Sequence, residues 1–495
     1  MKIVMGVDSS TQSCKVELRD LETGGILGRG SASHPPAFAP RSEQNPQDWW
    51  EAFERALNRA VETAAIDRTA IVAISVAAQC HGLIALDEQD RVIRPAKLWN
   101  DTESAPQLAR LREAIGAENW IRKVGSLPTA AFTIGKIAWL AENEPENFRA
   151  MRRICLPHDW LTYRLCGVHV TDRSEASGTG YWSATENRYV TTYLDLIAAD
   201  RDWASMLPRV LGPDEAAGTI LPDIADRLGL SRDILIGPGG GDQHAAALGL
   251  AVEEGDAVYT IATSGVIFTT ASRPVHDLSG LVDGVADCAG GYLPLVSTLN
   301  AARVTDWAAR LLDVDHAGLS KLALEADPLA SPVFAAFLDG ERKPNRPDSY
   351  GLMGGLTAAT SRADLARAAH DGVLLALIRG ETIMNQAGIA TDGRVIITGG
   401  GARSSAYRQI LADYTQRRIM IADPAEADES TARGAAIQAA AIATGRDVQT
   451  MRQLWAPRYE TVAEPNRAMA DSRTRLLDRY LALSAWSGFD GRMRS

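Results

Sequence analysis

The sequence predicts an α/β protein built from two related halves. Extended and helical patterns alternate along most of the chain, which is typical of α/β folds rather than of all-β meanders. A layout of strand, small polar turn and strand, followed later by a helix and a buried strand, occurs twice. The 495 residues exceed what one hydrophobic core usually serves, so we expect two large domains with a ligand-binding cleft between them.

The first half opens with two strands joined by a small polar turn. The segment IVMGVD at 3–8 is apolar and β-branched, which indicates a buried strand, and CKVELRD at 14–20 alternates. Apolar residues recur at helical spacing over 47–64, which predicts an amphipathic helix. A further buried strand is predicted at 70–79, and a shorter one, LIALD, at 83–87.

A glycine cluster, GPGGG at 237–241, is followed by DQHAAALG at 242–249 and separates this half from a second one with the same layout. AVYTIATSGVIFTT at 257–270 indicates strand, polar turn and strand. A long helix is predicted at 364–388, and RVIITGGGARS at 394–404 is predicted as a strand that ends in glycines. Near the end of the chain, RTRLLDRYLAL at 473–483 predicts a helix that packs on the body.

These patterns divide the chain into three parts. We expect an N-terminal domain at 1–245, a C-terminal domain at 246–440 and a helical segment at 441–495 that packs on the body.

Composition excludes several classes of function. A net charge of −11 argues against wide contact with nucleic acid or an anionic membrane, because both require a basic surface. Five cysteines without a CxxC pair indicate reduced thiols, which favours a cytoplasmic location over a disulfide framework. The first residues lack the features of a signal peptide, and no stretch approaches the ~20 apolar residues of a membrane span.

Three turns rich in Gly, Ser or Thr follow predicted strands, at Ser9–Ser13, Thr263–Gly265 and Gly399–Ser404. Small residues let backbone N–H groups approach an anion, although each turn taken alone also suits an ordinary tight turn. The P-loop, the GxGxxG fingerprint and the protein-kinase motifs are missing, so a nicotinamide dehydrogenase is disfavoured. Three such turns at corresponding strand ends predict a nucleotide site.

Two aspartates stand at the ends of these segments. Asp8 ends the first strand, and Asp242 follows the glycine cluster. The alternatives are an Asx-turn for Asp8 and a helix N-cap for Asp242. Mg²⁺ prefers one or two carboxylates together with phosphate oxygens, and phosphoryl transfer needs an acid residue that takes the hydroxyl proton. The pair therefore indicates phosphoryl transfer.

Planar polar groups and an aromatic ring suited to a polyol lie at other strand ends. Gln79 and His81 follow one strand, and Trp99, Asn100 and Asp101 close another segment. Taken singly, His81 also suits a structural histidine and Trp99 a core residue. The loop LDGERKPNRPD carries Arg342 and Lys343, for which a solvated loop and a role near the cleft are equally supported.

Nine segments in order resemble the FGGY carbohydrate kinases, and among them those that act on xylulose. They are GVDSSTQSCK, SEQNPQDWW, AQCHGL, LWNDTES, TDRSEASGTGYW, GGGDQHAAALG, ATSGV, LDGERKPN and GGGARS. The resemblance covers nearly the whole chain. It implies two RNase-H-like domains of the actin and hexokinase type, with ATP and a sugar in the cleft. It also suggests a homodimer, which no residue indicates by itself.

The resemblance implies a role for each matching position. Asp242 matches the base that takes the sugar hydroxyl proton, and Asp8 matches the acid that helps to hold Mg²⁺, with Asp242 as a second ligand. The remaining positions match groups that contact ATP, namely Ser9, Ser10, Thr11, Gln12, Ser13, Thr263, Ser264, Gly400, Gly401, Ala402 and Ser404, and groups that contact the sugar, namely Gln79, Cys80, His81, Trp99 and Asp101.

Some positions depart from the family pattern. Cys80 stands where a hydrophobic residue, often Met, is usual, and Glu103 stands where Arg is expected. Ser9-Ser10 replaces Gly-Thr, and Ala262 replaces a glycine, which is tolerated if its backbone angle is ordinary. The expected activity is ATP-dependent phosphorylation of D-xylulose. The alternatives are a sister kinase for ribulose, another ketose, glycerol or gluconate, and a non-catalytic actin-like ATP sensor.

Overall fold

The computed structural model describes residues 1–486 except Asp339, Pro347, Asp428 and Asp471. The predicted terminal segment 441–495 therefore extends beyond the described residues, and two positions of the loop LDGERKPNRPD also fall outside them. Within the described ranges, no helix is long and apolar enough to cross a membrane.

The strands follow one another in this order: β1 Ile3–Ser9, β2 Ser13–Asp20, β3 Ile26–Ser33, β4 Glu43–Gln44, β5 Ile71–Ala78, β6 Ile84–Leu86, β7 Ala96–Lys97, β8 Arg153–Cys155, β9 Val170–Asp172, β10 Trp182–Ser183, β11 Arg188–Tyr189, β12 Arg209–Leu211, β13 Gly218–Thr219, β14 Leu235–Ile236, β15 Gly240–Gly241, β16 Ala257–Ile261, β17 Gly265–Phe268, β18 Asp283–Ala286, β19 Tyr292–Thr298, β20 Val333–Ala335, β21 Leu352–Gly354, β22 Val395–Thr398, β23 Ile419–Ala422 and β24 Tyr459–Ala463.

The α-helices are α1 Pro46–Ala64, α2 Ala105–Ile115, α3 Ala117–Val124, α4 Thr133–Asn143, α5 Pro145–Ala150, α6 Pro157–Cys166, α7 Arg173–Ser177, α8 Thr191–Leu194, α9 Trp203–Met206, α10 Pro222–Leu228, α11 Asp242–Gly249, α12 Ala302–Leu311, α13 His316–Glu325, α14 Arg362–Gln386, α15 Ser405–Thr415, α16 Pro424–Ala427, α17 Ser430–Thr444, α18 Val448–Leu454 and α19 Ser472–Ala485. Short 3-10 helices lie at Arg68–Ala70, Gly400–Arg403 and Arg467–Met469.

Two large sheets share one topology, and they confirm the predicted α/β fold of two related halves. In the first sheet, β3, β2 and β1 form an antiparallel meander, and β5 then pairs with β1 in parallel. In the second, β19, β17 and β16 form the meander, and β22 pairs with β16 in parallel. In each half a long helix, α1 or α14, precedes the parallel strand.

Local sequence explains the helix that precedes β5. Asn45 caps α1 by accepting a hydrogen bond from the backbone N–H of Gln47, and Pro46 occupies the first turn, where its missing N–H removes no helical bond. The apolar stripe of α1, which includes Trp49 and Phe53, is buried in the core of the first half. The predicted strand LIALD forms as β6, but it pairs with β8 outside the large sheet.

Helix α17 lies between β23 and β24 of the second sheet in sequence but packs against the first sheet. A Cβ at Gly6 of β1 would overlap the backbone of Ala432, and a Cβ at Gly434 would overlap the carbonyl oxygen of Ala245 in α11. Glycine at these positions therefore lets backbone meet backbone. The buried residues Ala436 and Ala440 of α17 share one apolar cluster with Val4 of β1.

The last helix among the described residues, α19, packs on the second half. Leu476 and Tyr480 of α19 are buried in the core beneath the second sheet. The predicted boundary at 245 falls inside α11, and the helices α11 and α17 connect the two halves, so the exact domain limits stay a prediction.

Candidate active site

Three parallel strands of the first sheet end at the same level. Gly240 of β15 lies opposite Ala77 of β5, and Ala77 lies opposite Asp8 of β1. The next residues along these strands are therefore neighbours, and the chain leaves the sheet there at Asp242, at Gln79 and through the turn after Ser9. Residues far apart in sequence meet because the carboxyl ends of parallel strands share one edge.

Asp8 is buried at this edge, with 3% of its surface exposed. Burial raises the pKa of Asp8 to about 7, a rise that the hydrogen bond from Ser10 and the charge of Lys15 only partly oppose. The nearby charge of Asp242 raises that pKa further. The Ser10 hydroxyl donates a hydrogen bond to Asp8 Oδ1. The carboxylate therefore bonds to its own turn, as in the Asx-turn alternative, but through a side chain and not through the backbone.

Asp242 is the first residue of α11. Gly241 occupies the N-cap position, so the alternative that Asp242 is the N-cap is wrong. Its Oδ1 accepts the backbone N–H of Gln243 at 2.7 Å and faces the Cys80 sulfur at 3.4 Å. Burial raises the pKa of Asp242, which brings this carboxylate closer to the range of a general base at neutral pH.

The turn between β1 and β2 is held by side chains from other segments. Gln44 Nε2 donates to the carbonyl oxygen of Thr11 at 3.0 Å, and Trp99 Nε1 donates to Thr11 Oγ1 at 2.8 Å. The ring nitrogen Nδ1 of His34 lies 3.0 Å from the carbonyl oxygen of Ser10. The predicted ATP contacts Ser9–Ser13 thus belong to a braced β-hairpin turn rather than a free loop.

In the second half, the corresponding turns also meet at one sheet edge. Thr263 and Ser264 lie in the β16–β17 hairpin, where Ala262 avoids positive φ and donates its N–H to the Ser264 carbonyl. Gly400–Arg403 follows β22, which lies beside β16 with Thr260 opposite Thr398. Ser404 caps α15 by accepting from the backbone N–H of Tyr407. Because the φ angle of Ala262 is not positive, alanine is tolerated at this position, where the family usually has glycine.

Gln79, Cys80 and His81 leave β5 toward the same edge. Gln79 is buried, and among the described residues no hydrogen bond reaches its Oε1 or Nδ1 of His81. The His81 ring stacks on Phe132 with centroids 5.0 Å apart, and burial lowers the pKa of His81 well below its usual value. Burial raises the pKa of the Cys80 thiol well above its usual value, which favours the protonated thiol in the protein without bound metal.

Unlike Gln79 and His81, Asp101 in the segment at Trp99 has protein partners for its side chain. Asp101 is fully buried and accepts hydrogen bonds from Lys97 Nζ at 2.9 Å and from the Ser42 backbone N–H. Glu103, where Arg was expected, accepts from the same lysine at 2.6 Å. Together with Glu43, whose Oε1 lies 3.3 Å from Lys97 Nζ, these carboxylates surround one buried ammonium group, which is a structural role for Glu103.

A cation from the second half lies over the Trp99 ring. The Arg342 guanidinium stands 4.7 Å from the ring centroid, within cation–π range. The loop that carries Arg342 therefore reaches the candidate site, which supports a role near the cleft over the alternative of a solvated loop. Its neighbour Lys343 is buried and pairs with Asp283 at 3.1 Å.

Two buried side chains beside Asp242 are not among the site residues that the sequence predicts. Glu175 Oε2 accepts the backbone N–H of His81 at 3.0 Å, and burial raises the pKa of Glu175 to about 8. His244 follows Asp242 by two residues, and burial lowers the pKa of its imidazole to about 4. Glu175 lies in the segment TDRSEASGTGYW and His244 in GGGDQHAAALG, but no spacing pattern in the sequence distinguishes them from core residues.

Family models match both halves of the chain. Residues 3–249 match the N-terminal domain of the FGGY family of carbohydrate kinases, and residues 257–443 match the C-terminal domain. The chain belongs to the FGGY family of carbohydrate kinases. As a member of this family it is a phosphotransferase, and the predicted fold of two α/β domains is confirmed.

Several proteins resemble this FGGY kinase along nearly their whole length. It is 39% identical over 478 residues to a xylulose kinase from Streptomyces rubiginosus, covering 96% of this chain and 95% of the relative. It is 40% identical over 454 residues to a xylulose kinase from Streptomyces coelicolor, covering 92% and 90%. The crystal structure of a xylulose kinase from Bifidobacterium adolescentis is 36% identical and aligns with a TM-score of 0.82, covering 97% and 99%.

Proposed function

We propose that this FGGY kinase transfers the γ-phosphoryl group of ATP to D-xylulose and forms D-xylulose 5-phosphate. The observation that carries the proposal is the carboxylate of Asp242 at the shared end of three strands, beside Asp8 and the braced turn. The choice of sugar is supported by the relatives named xylulose kinase, at 39% and 40% identity.

In the proposed reaction, Asp242 accepts the proton of the C5 hydroxyl. The hydroxyl oxygen forms a bond to the γ-phosphorus while the bond from that phosphorus to the bridging oxygen breaks, and ADP leaves with the electron pair. An aspartate suffices as base because the proton is transferred late in a loose transition state. Burial raises the pKa of Asp242, and the raised pKa increases the basicity of this carboxylate.

Asp8 and Asp242 are the residues that would hold Mg²⁺. The donor set fits, because the charge of Asp242 already raises the pKa of Asp8, and a cation would relieve this repulsion. When bound, Mg²⁺ neutralises charge on the transferred phosphoryl group. The hydroxyl of Ser10 keeps Asp8 Oδ1 oriented from within the turn.

The braced turn at Ser9–Ser13 and the hairpin turn at Thr263-Ser264 would donate hydrogen bonds to the ATP phosphates. We assign the adenosine side to Gly400, Gly401, Ala402 and Ser404. Backbone N–H groups in tight turns form concave sites for anions, which supports this assignment.

The sugar would meet buried polar atoms that lack protein partners among the described residues. Gln79 Oε1 and His81 Nδ1 are two such atoms, and an unpaired buried polar atom is unfavourable by about 1–3 kcal/mol. Sugar hydroxyls would satisfy both. Trp99 and Cys80 would line the same pocket, whereas the carboxylate of Asp101, already bonded to Lys97, would support it from behind.

The test is a panel assay of purified protein with MgATP and ketoses, polyols and gluconate, in which ADP release is followed and the product is identified by NMR. We expect the highest kcat/KM with D-xylulose. A sister sugar as the preferred substrate would overturn the specificity, and ADP release that no sugar stimulates would favour the non-catalytic ATP sensor. The suggested homodimer stays a prediction that light scattering tests.

The role of Asp242 is tested with Asp242→Asn, which should lower kcat by about 10²–10⁴-fold, as expected for loss of a general base. The matched control is Asp233→Asn, because Asp233 is an exposed aspartate nearby in the chain. Substantial turnover by the Asp242 variant would overturn the base assignment whichever sugar is preferred.

A further inference from the structure

Three side chains of different chemistry converge behind Asp242. They are Cys80 from the end of β5, Glu175 from α7 and His244 from α11, and one donor atom of each lies within 4.8 Å of the others. Gly241 leaves room for this approach. A Cβ at position 241 would stand 2.6 Å from Glu175 Oε1, 2.7 Å from His244 Nδ1 and 3.1 Å from Cys80 Sγ.

Two of the three donors are buried without a partner. Glu175 is fully buried and His244 is 3% exposed. Among the described residues, no hydrogen bond of ordinary geometry satisfies Glu175 Oε1 or either ring nitrogen of His244. Buried polar atoms in folded proteins are nearly always paired, so unpaired donors that face one another point to a missing ligand. Cys80 is only half-buried and therefore connects the cluster with solvent.

We propose that Cys80, Glu175 and His244 form a binding site for a divalent metal ion, and that this ion is Zn²⁺. Thiolate, imidazole and carboxylate are the donors that zinc selects, and three protein ligands leave a fourth position for water. Zinc–donor distances of about 2.0–2.3 Å place the donors of a tetrahedral site roughly 3.5 Å apart. Small side-chain rotations therefore close the site. As the sulfur–zinc bond forms, the thiol proton of Cys80 passes to water.

The occupied site would inhibit the kinase. Cys80 Sγ lies 3.4 Å from Asp242 Oδ1, so Zn²⁺ on this sulfur stands beside the carboxylate that acts as the base. An ion bound there would occupy the space beside this carboxylate that the sugar hydroxyl needs, and the Cys80 thiol would no longer donate to Asp242. This consequence rests on the proposed function, whereas metal binding itself does not.

Binding is measured on the full chain without ATP or sugar. Co²⁺ serves as a spectroscopic probe, because a thiolate ligand gives a charge-transfer band, and Zn²⁺ affinity is obtained by competition with a chromophoric chelator. We expect one equivalent of metal. Cys80→Ser should abolish the band. Loss of an outer-shell partner typically weakens metal binding about 10–100-fold, and His244→Gln, which removes a direct ligand, should weaken Zn²⁺ binding by more than this.

Cys166→Ser is the matched control, since Cys166 is a buried thiol that donates to a backbone carbonyl oxygen outside the cluster. It should retain the band and the affinity, and thermal unfolding establishes that each variant is folded. Absence of a band in the unchanged protein, or Zn²⁺ affinity that survives Cys80→Ser, would overturn the site.

The inhibition is tested separately by sugar-stimulated ADP release with and without Zn²⁺. We expect Zn²⁺ to suppress turnover, a chelator to restore it and excess Mg²⁺ to leave it suppressed. Zinc that binds without slowing turnover would overturn the inhibitory consequence alone. A chain that binds zinc but phosphorylates no sugar would instead overturn the proposed function.

Discussion

Replacing Asp8 by asparagine should stabilise the ligand-free protein at alkaline pH while it impairs the kinase. The carboxyl group is buried, and burial raises its pKa from 3.8 to about 7. Between these pH values the folded state therefore binds more protons than the unfolded state. Stability then falls as the pH rises through this window, because the unfolded chain ionises Asp8 more readily. The asparagine side chain cannot ionise, so the variant escapes this loss.

The size of the effect follows from the pKa shift. A rise of about three units corresponds to about 4 kcal/mol of unfolding free energy once both states are ionised, at about 1.4 kcal/mol per unit. Much of this develops between pH 5 and pH 8, where the advantage of Asp8→Asn over the parent should grow by about 2–3 kcal/mol. The Ser10 hydroxyl still finds an acceptor oxygen on the asparagine side chain.

The assay is urea unfolding at several pH values from 5 to 8, without nucleotide or divalent cation, with Asp233→Asn as an exposed control. Millimolar Mg²⁺ should then stabilise the parent at pH 8 more than it stabilises Asp8→Asn. A difference between parent and variant that stays constant with pH would refute the raised pKa of Asp8. Equal stabilisation of both by Mg²⁺ would refute Asp8 as a metal ligand.

Three further changes test other parts of the structure. Cys80→Ala removes the hydrogen bond that lowers the pKa of Asp242, so the acid limb of the profile of kcat/KM against pH should move to higher pH, and an unmoved limb would contradict this. Arg342→Ala should raise the sugar KM by about 2–30-fold through loss of its contact with Trp99, and Arg342→Lys should raise it less. Gly434→Ala should lower the unfolding free energy, measured by thermal unfolding, by about 1–3 kcal/mol because its Cβ overlaps α11. Gly212 faces open space, so Gly212→Ala should leave the unfolding free energy nearly unchanged.

The fold could be predicted because its periodic signals are local. The β-branched run of β1 and the apolar stripe of α1 each lie within one short segment, so the sequence reveals them directly. The pairing of Asp8, Ala77 and Gly240 could not be predicted, because it joins segments separated by about 70 and 160 residues. Register of this kind depends on how whole strands pack.

The chemistry of the site was predicted unevenly for a related reason. Asp242 stands out because four glycines precede it, whereas Glu175 and His244 resemble ordinary members of short helices. In the sequence, Glu103 stands where Arg is expected, which suggests that a positive charge is missing. Only the fold reveals that Glu103 pairs with the buried Lys97. Burial and partnership are properties of the assembled molecule, so a single sequence reveals them only where a motif is already distinctive.

The packing of α17 on β1 and β5 has a consequence for folding during translation. The first sheet is synthesised early, but the helix that covers one of its faces ends at Thr444. During translation this apolar face therefore stays uncovered until residues 430–444 have been made. A gene fragment that encodes only the first half would produce an insoluble polypeptide, whereas supplying residues 430–444 as a separate peptide should rescue it.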